Sequence, residues 1–349
     1  MRGTSAERGD QLIVEHSDAE VRIDELGGGQ RQITVVPKSA RYAIQAREFA
    51  TRYPVELIEH FLRVKGPADL CDEIMRDEDD AYTRACLEKD IFGYLPDSAF
   101  SGKRLLDFGC GAGASTMILA RMLPRTNIIG VELNPDLIEL AALRRDFYGF
   151  DHLTFLRSPS GDRLPEGIGS FDFVVLSAVY EHLLPRERAT VLDQLWRILK
   201  PGGRLFVNQT PFRFFPFEGH TTQLPFVNYM PDKMALWAAR KFSKRVAPNE
   251  PWEQLLRRGI RGGTAGEILE ILARTDGSSR AVLLEPSLQG LADRVDLWYA
   301  GYAVSIANRY PRVAILQRIL RDLFKGIYRM TGLVLVPALS LAIEKRERE

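Results

Sequence analysis

From Lys103 onward the chain alternates short apolar runs with amphipathic segments, and this alternation constrains its fold more than any other feature. RLLDF, NIIGVEL, HLTFLRS, FDFVVLSAV and GRLFVNQT are short runs rich in branched and aromatic residues. Between them, STMILARML, NPDLIELAALRRDF and ERATVLDQLWRILK place apolar residues at three- and four-residue spacing. Strand-like and helix-like periods in strict alternation predict an α/β fold built on a parallel sheet, with helices on both faces and right-handed crossovers. Pro201 and the Gly202–Gly203 pair stop the third of these helices.

The flanking segments read differently. Residues 1–38 are polar and carry Gly27, Gly28 and Gly29 in a row; they predict a poorly ordered arm with short β pieces such as Gln32–Val36. Residues 39–98 have helical spacing, punctuated by Pro54 and Pro67, and form an N-terminal helical part. The α/β core then runs over 99–215. Residues 216–349 hold a helical insertion with a basic patch in ARKFSKR and LLRRGIRGG, read as a solvated face, and a strand in AVLLEPS. RVAILQRILRDLFKGIYRM is a basic amphipathic helix with the composition of a membrane-surface contact. The apolar stretch after it is too short to span a bilayer and is broken by Pro337.

A formal net charge of +1 argues against binding nucleic acid through overall charge, and no basic–aromatic array stands out. The three cysteines, Cys71, Cys86 and Cys110, fit neither a zinc spacing nor a disulfide framework, and no metal is expected. The first residues lack the apolar core of a signal peptide, so the expected location is cytoplasmic.

The turn between the first run and the first helix reads DFGCGAGAS. Gly109, Gly111 and Gly113 allow backbone angles that other residues avoid and admit a ligand close to the chain. The helix N-terminus behind them offers unpaired N–H groups and a positive dipole end. Gly109-x-Gly111-x-x-Ala114 also satisfies the dinucleotide fingerprint, with Glu132 downstream for a ribose, so nicotinamide binding is an alternative at this point.

The neighbouring segments bear on that choice. LLDFGCGAG, GVELNPDLIELA, FDFVVLSAVYEHL and LKPGGRLFV, in this order, resemble the class I S-adenosylmethionine-dependent methyltransferases, in particular the group with a type-11 methyltransferase domain. The resemblance covers about residues 100–212. It implies a Rossmann-like seven-stranded sheet that closes on an antiparallel strand, for which LSLAIEKR is the match. It further implies S-adenosylmethionine as cofactor, with Asp107 and the backbone of Gly109, Cys110, Gly111 and Gly113 facing its methionine part. Glu132 would accept from both ribose hydroxyls, Leu133 would lie against the adenine, and Ser177 would expose its backbone near the methionine. The family's acidic adenine contact has no match in the usual register, which falls on Ser160; Asp162 serves if the loop is shorter by two.

Methyl transfer from a sulfonium is an in-line displacement, so positioning and desolvation supply much of the catalysis. A hydroxyl acceptor gains a further factor of about 10²–10⁴ from a general base. The candidates are His182, after the fourth strand, and His220, in an aromatic- and proline-rich loop after the fifth. For His182 the plain structural role is to orient the following helix; for His220 it is that of a surface loop residue. The expected activity is O-methylation of a small molecule or glycan. The alternatives are a lipid- or quinone-directed methyltransferase working at a membrane surface through the C-terminal helix, and a non-catalytic binder of the cofactor.

Overall fold

The computed structural model describes residues 6–8, 11–39, 44, 46–79, 83–275, 277–303 and 313–348. It begins with an antiparallel five-stranded sheet in simple order: β1 (Ala6–Arg8), β2 (Gln11–Glu15), β3 (Ala19–Gly27), β4 (Gln30–Pro37) and β5 (Glu48–Thr51). For residues 6–8 and 11–38 this corrects the expectation of a poorly ordered arm; residues 1–5, 9 and 10 lie outside the described residues. Ala19, Val21, Ile23, Ile33 and Val35 are buried, and the charged residues between them face outward. A half-buried antiparallel sheet has this two-residue alternation, which lowers mean hydropathy without weakening the strands. Gly28 and Gly29, both with positive φ, close the β3–β4 hairpin.

Helices α1 (Val55–Lys65), α2 (Leu70–Glu78) and α3 (Ala85–Phe92) follow. Pro54 stands at the N-terminal boundary of α1, and the first two helices pack on the small sheet through Tyr53, Ile58, Phe61 and Ile74.

The core comprises β6 (Arg104–Phe108), α4 (Ala114–Met122), β7 (Asn127–Glu132), α5 (Pro135–Tyr148), β8 (Leu153–Arg157), β9 (Phe171–Ser177), α6 (Pro185–Ile198) and β10 (Leu199–Pro211). Beyond it lie the short pair β11 (Phe217–Glu218) and β12 (Leu224–Pro225), then α7 (Asp232–Phe242), α8 (Trp252–Arg257), α9 (Ala265–Thr275) and β13 (Ser279–Leu284). The chain ends with α10 (Arg294–Trp298), α11 (Ala314–Thr331) and β14 (Ala338–Glu347).

The large sheet has seven strands in the order β13-β14-β10-β9-β6-β7-β8. Strands β8, β7, β6, β9 and β10 are parallel, and β14 runs antiparallel between β10 and β13. AVLLEPS and LSLAIEKR are therefore both sheet strands, as expected. Leu106, Val174, Leu176, Val207 and Leu341 fill one face of the sheet, and Leu105, Phe173, Val175, Phe206 and Ala342 fill the other. Strand order reverses between β6 and β9, and at such a switch point the loops beyond the strand C-termini diverge into a crevice. Among the described residues no helix is long and apolar enough to cross a membrane.

Candidate active site

The glycine turn leaves β6 bound to its neighbour strand: the N–H groups of Gly109 and Cys110 both donate to the Val131 carbonyl. A Cβ on Gly109 would meet Val179 Cγ2 at 2.8 Å, and one on Gly113 would meet the Ala141 Cβ at 2.9 Å. Gly111, also at positive φ, would meet nothing within 4 Å. Two of these glycines thus answer to packing, and the middle one borders open space. The Cys110 thiol turns inward toward Gly130, and burial pushes its pKa well up, so this residue offers the turn its backbone only.

Glu132 caps β7 from below the turn. One carboxylate oxygen accepts from Gly111 N at 3.1 Å, and the other accepts from Leu133 N at 2.7 Å and Asn134 N at 3.0 Å. A carboxylate has about four acceptor positions, so the oxygen facing Gly111 retains one for a hydroxyl donor. Asp107 is buried and accepts from Thr116 Oγ1 at 2.7 Å, and burial raises its carboxyl to about 6. Leu133 is exposed, and its Cδ2 lies 3.9 Å from where a Cβ on Gly161 would stand. The loop carrying Ser160 and Asp162, joined by a 2.7 Å hydrogen bond, therefore comes up beside Leu133. At the end of β9 the Ser177 hydroxyl is buried without a partner, and Ala178 has φ +53°. Strain of this kind at a strand terminus is concentrated at functional sites.

A second group stands where the ends of β9 and β10 meet. Glu181 is fully buried; one oxygen lies 3.3 Å from the Thr210 hydroxyl, and the other has no hydrogen-bond partner and lies 3.8 Å from His182 Nε2. Burial raises the Glu181 carboxyl to about 7. His182 Nδ1 is 2.7 Å from the Arg257 carbonyl, which can only accept, so the ring proton sits on Nδ1 and Nε2 is bare. The His220 ring is 5.5 Å from that of His182. Partial desolvation lowers the pKa of both imidazoles, which favours their neutral form at neutral pH.

Glu218 shapes the turn that presents His220. Its carboxylate accepts from the N–H groups of His220, Thr221 and Thr222 and from the Thr222 hydroxyl. Gly259, at φ +90°, leaves room for the cluster: a Cβ there would meet the His220 ring at 2.9 Å and Glu181 Cγ at 3.1 Å. Of the aromatic residues nearby, Phe212 and Phe215 pack inward, while Phe214, Phe217, Phe226 and Tyr229 are exposed.

Residues 106–205 match the family model described as "Methyltransferase domain". The trans-aconitate 2-methyltransferase of Methylobacterium radiotolerans is 28% identical over 203 residues, covering 58% of this chain and 62% of that protein. The demethylmenaquinone methyltransferase of Lactococcus lactis is 30% identical over 132 residues, 38% and 51% of the two chains. A ubiquinone biosynthesis O-methyltransferase of Xylella fastidiosa is 34% identical over 110 residues, 32% and 43%. This part of the chain is a class I S-adenosylmethionine-dependent methyltransferase domain. The chain spans about half the length of the curated relatives it matches.

The methyltransferase domain brings the expected cofactor-side residues Asp107, Gly109, Cys110, Gly111, Gly113, Glu132 and Leu133 to one end of β6 and β7, with Asp162 in the loop beside Leu133. It brings His182 and His220 together across β9 and β10. Sequence reasoning missed Thr116, Gly259 and Arg257. Thr116 carries a detectable signal, in the first turn of α4 behind Asp107; Gly259 and Arg257 are distant in sequence from Glu181 and the histidines they approach.

Proposed function

We propose that this chain methylates a hydroxyl on a small molecule or glycan with S-adenosylmethionine as donor. When bound, the donor supplies a sulfonium methyl group already activated for in-line displacement. Glu132 and the open backbone at Gly111 bind the nucleoside and methionine parts, and the loop from Ser160 to Asp162 walls the base side with Leu133. The observation that carries the reading is the pair of imidazoles, ring centroids 5.5 Å apart, beside a buried carboxyl at the β9 and β10 ends. With its proton on Nδ1, His182 holds a bare Nε2 3.8 Å from the buried Glu181 oxygen, and His220, the exposed member of the pair, stands next to it to orient an acceptor hydroxyl or take its proton. The exposed aromatics Phe214, Phe226 and Tyr229 suit the face of a sugar ring.

The test is calorimetric titration with S-adenosylhomocysteine, using NAD as control, followed by acceptor screening among glycans and polyols. Binding of S-adenosylhomocysteine alone supports the reading; binding of NAD, or of neither, overturns it.

A quinone or lipid acceptor is the second reading, and α11 favours it. Ile315, Leu316, Ile319, Leu323 and Met330 on this basic helix are each more than half exposed, and two of the relatives are quinone-pathway methyltransferases by name. Co-sedimentation with anionic vesicles, lost in Ile319→Glu, supports this reading; no sedimentation removes it.

A further inference from the structure

The geometry points to a divalent transition-metal ion held by Glu181, His182 and His220 at the junction of the β9 and β10 ends. Each residue offers one ligand atom, and the three atoms lie within 4.8 Å of one another. This deepens the methyl-transfer reading and revises the expectation, drawn from cysteine spacing, that no metal is present.

Three observations carry it. First, Glu181 is fully buried, yet the oxygen facing the histidines has no hydrogen-bond partner. A buried carboxylate oxygen left unpaired is costly, and coordination to an ion removes that cost. Second, the His182 Nδ1–H is spent on the Arg257 carbonyl, which aims the bare Nε2 at Glu181. A histidine that ligates a metal is commonly fixed by such a bond from its other nitrogen. Third, the surroundings are built to hold the group: Glu218 fixes the backbone at His220, and Gly259 removes the side chain that would displace its ring.

Metal–ligand bonds of about 2.0–2.2 Å place neighbouring donors roughly 3–3.5 Å apart. His220 is exposed, so its ring has the freedom to close the remaining distance. Two imidazoles and one carboxylate select an ion such as Zn²⁺, Co²⁺ or Ni²⁺ over Mg²⁺ or Ca²⁺, which prefer all-oxygen sites. Three protein donors leave coordination positions open, and on the methyl-transfer reading these hold an oxygen of the acceptor. The imidazoles then act as ligands; the ion would lower the pKa of the acceptor hydroxyl, whose proton leaves to solvent as its oxygen bonds the methyl group and the S–CH3 bond of the donor breaks.

The experiment uses the full chain, stripped of metal with a chelator and carrying no histidine tag. It is titrated with Co²⁺, followed by visible absorption, and Zn²⁺ is then added as competitor. One equivalent of Co²⁺ with ligand-field bands displaced by Zn²⁺ is expected. Affinity falls at least about tenfold in His182→Ala and in His220→Ala, falls in Gly259→Ala, and is unchanged in His16→Ala. His220 is exposed, so His220→Ala keeps the fold, as circular dichroism will check. Absence of Co²⁺ bands, or equal affinity in His220→Ala, overturns the proposal. S-adenosylhomocysteine titration of the same stripped protein separates the two readings. Binding of that ligand without Co²⁺ removes the ion alone; Co²⁺ binding without it keeps the ion and removes its role in transfer.

Discussion

Arg144 Nη1 donates to the Ala112 carbonyl at 2.7 Å, so a fully buried guanidinium holds the glycine turn from behind. The same side chain lies 3.5 Å from Asp77 and 3.4 Å from Glu73, and its Nε donates to the Tyr53 hydroxyl at 3.2 Å. One residue of α5 thereby joins the N-terminal layer to the turn. Removing it in Arg144→Leu takes a buried cation from two buried carboxylates and leaves Glu73 with Lys65 and Asp77 with Arg121. Breaking a buried pair in this way costs about 3–5 kcal/mol. Urea unfolding should show that loss, and S-adenosylhomocysteine affinity should fall with it because the Ala112 peptide loses its anchor. A stability within about 1 kcal/mol of the parent would show that the network is not needed.

Glu132 tests the cofactor side directly. A hydrogen bond to a charged group contributes about 1.5–3 kcal/mol, so Glu132→Ala should weaken S-adenosylhomocysteine binding at least about tenfold by calorimetry. Unchanged affinity would place the ribose elsewhere. Glu132→Gln keeps the acceptor oxygen and the shape, and should lose less.

The two glycines at positions 111 and 113 separate packing from binding. Gly113→Ala forces a Cβ to 2.9 Å from that of Ala141 at φ +83°, a strain on the order of 1–3 kcal/mol, and should lower the melting temperature. Gly111→Ala meets open space, and its φ of +56° lies in the left-handed region that other residues occupy at a cost of about 1–2 kcal/mol. It should therefore cost less stability than Gly113→Ala but weaken S-adenosylhomocysteine binding, since its methyl group enters the space where a ligand would approach. Equal effects of the two on both readouts would contradict this division.

The methyltransferase core was legible because each signal is local. RLLDF and NIIGVEL are buried on both faces and read as continuous apolar runs, and the turn between β6 and α4 concentrates its glycines within a few residues. The N-terminal sheet was not legible for the opposite reason. With Glu20, Arg22 and Asp24 between its buried residues, β3 averages to a polar segment even though its inward face is apolar. In the candidate site, His182 and His220 stood out as rare residues just past strand ends. Gly259 and Arg257 did not, because they approach the histidines from a helix and turn whose sequence carries only helical spacing and basic charge. Arg144 reads as one of two adjacent arginines on an amphipathic helix, and only its partners, on α2 and in the glycine turn, distinguish it from half-buried Arg145.

Asp90 gives the pH prediction. It is buried on α3, near Gln209 Nε2 at 3.4 Å and Ser340, and burial pushes its carboxyl from 3.8 up to about 7. Between about pH 4 and pH 7 the folded chain therefore holds a proton here that the unfolded chain has released. The stability linked to this group is fully present below about pH 4 and is lost as pH rises to about 7, after which it changes no further. Asp90→Asn has the same shape and cannot ionise. Its melting temperature relative to the parent should rise steadily from pH 5 to pH 7 and level off by pH 8, whatever constant offset the substitution brings. A difference that stays flat across this range, or that falls, would mean that Asp90 is ionised in the folded protein at neutral pH.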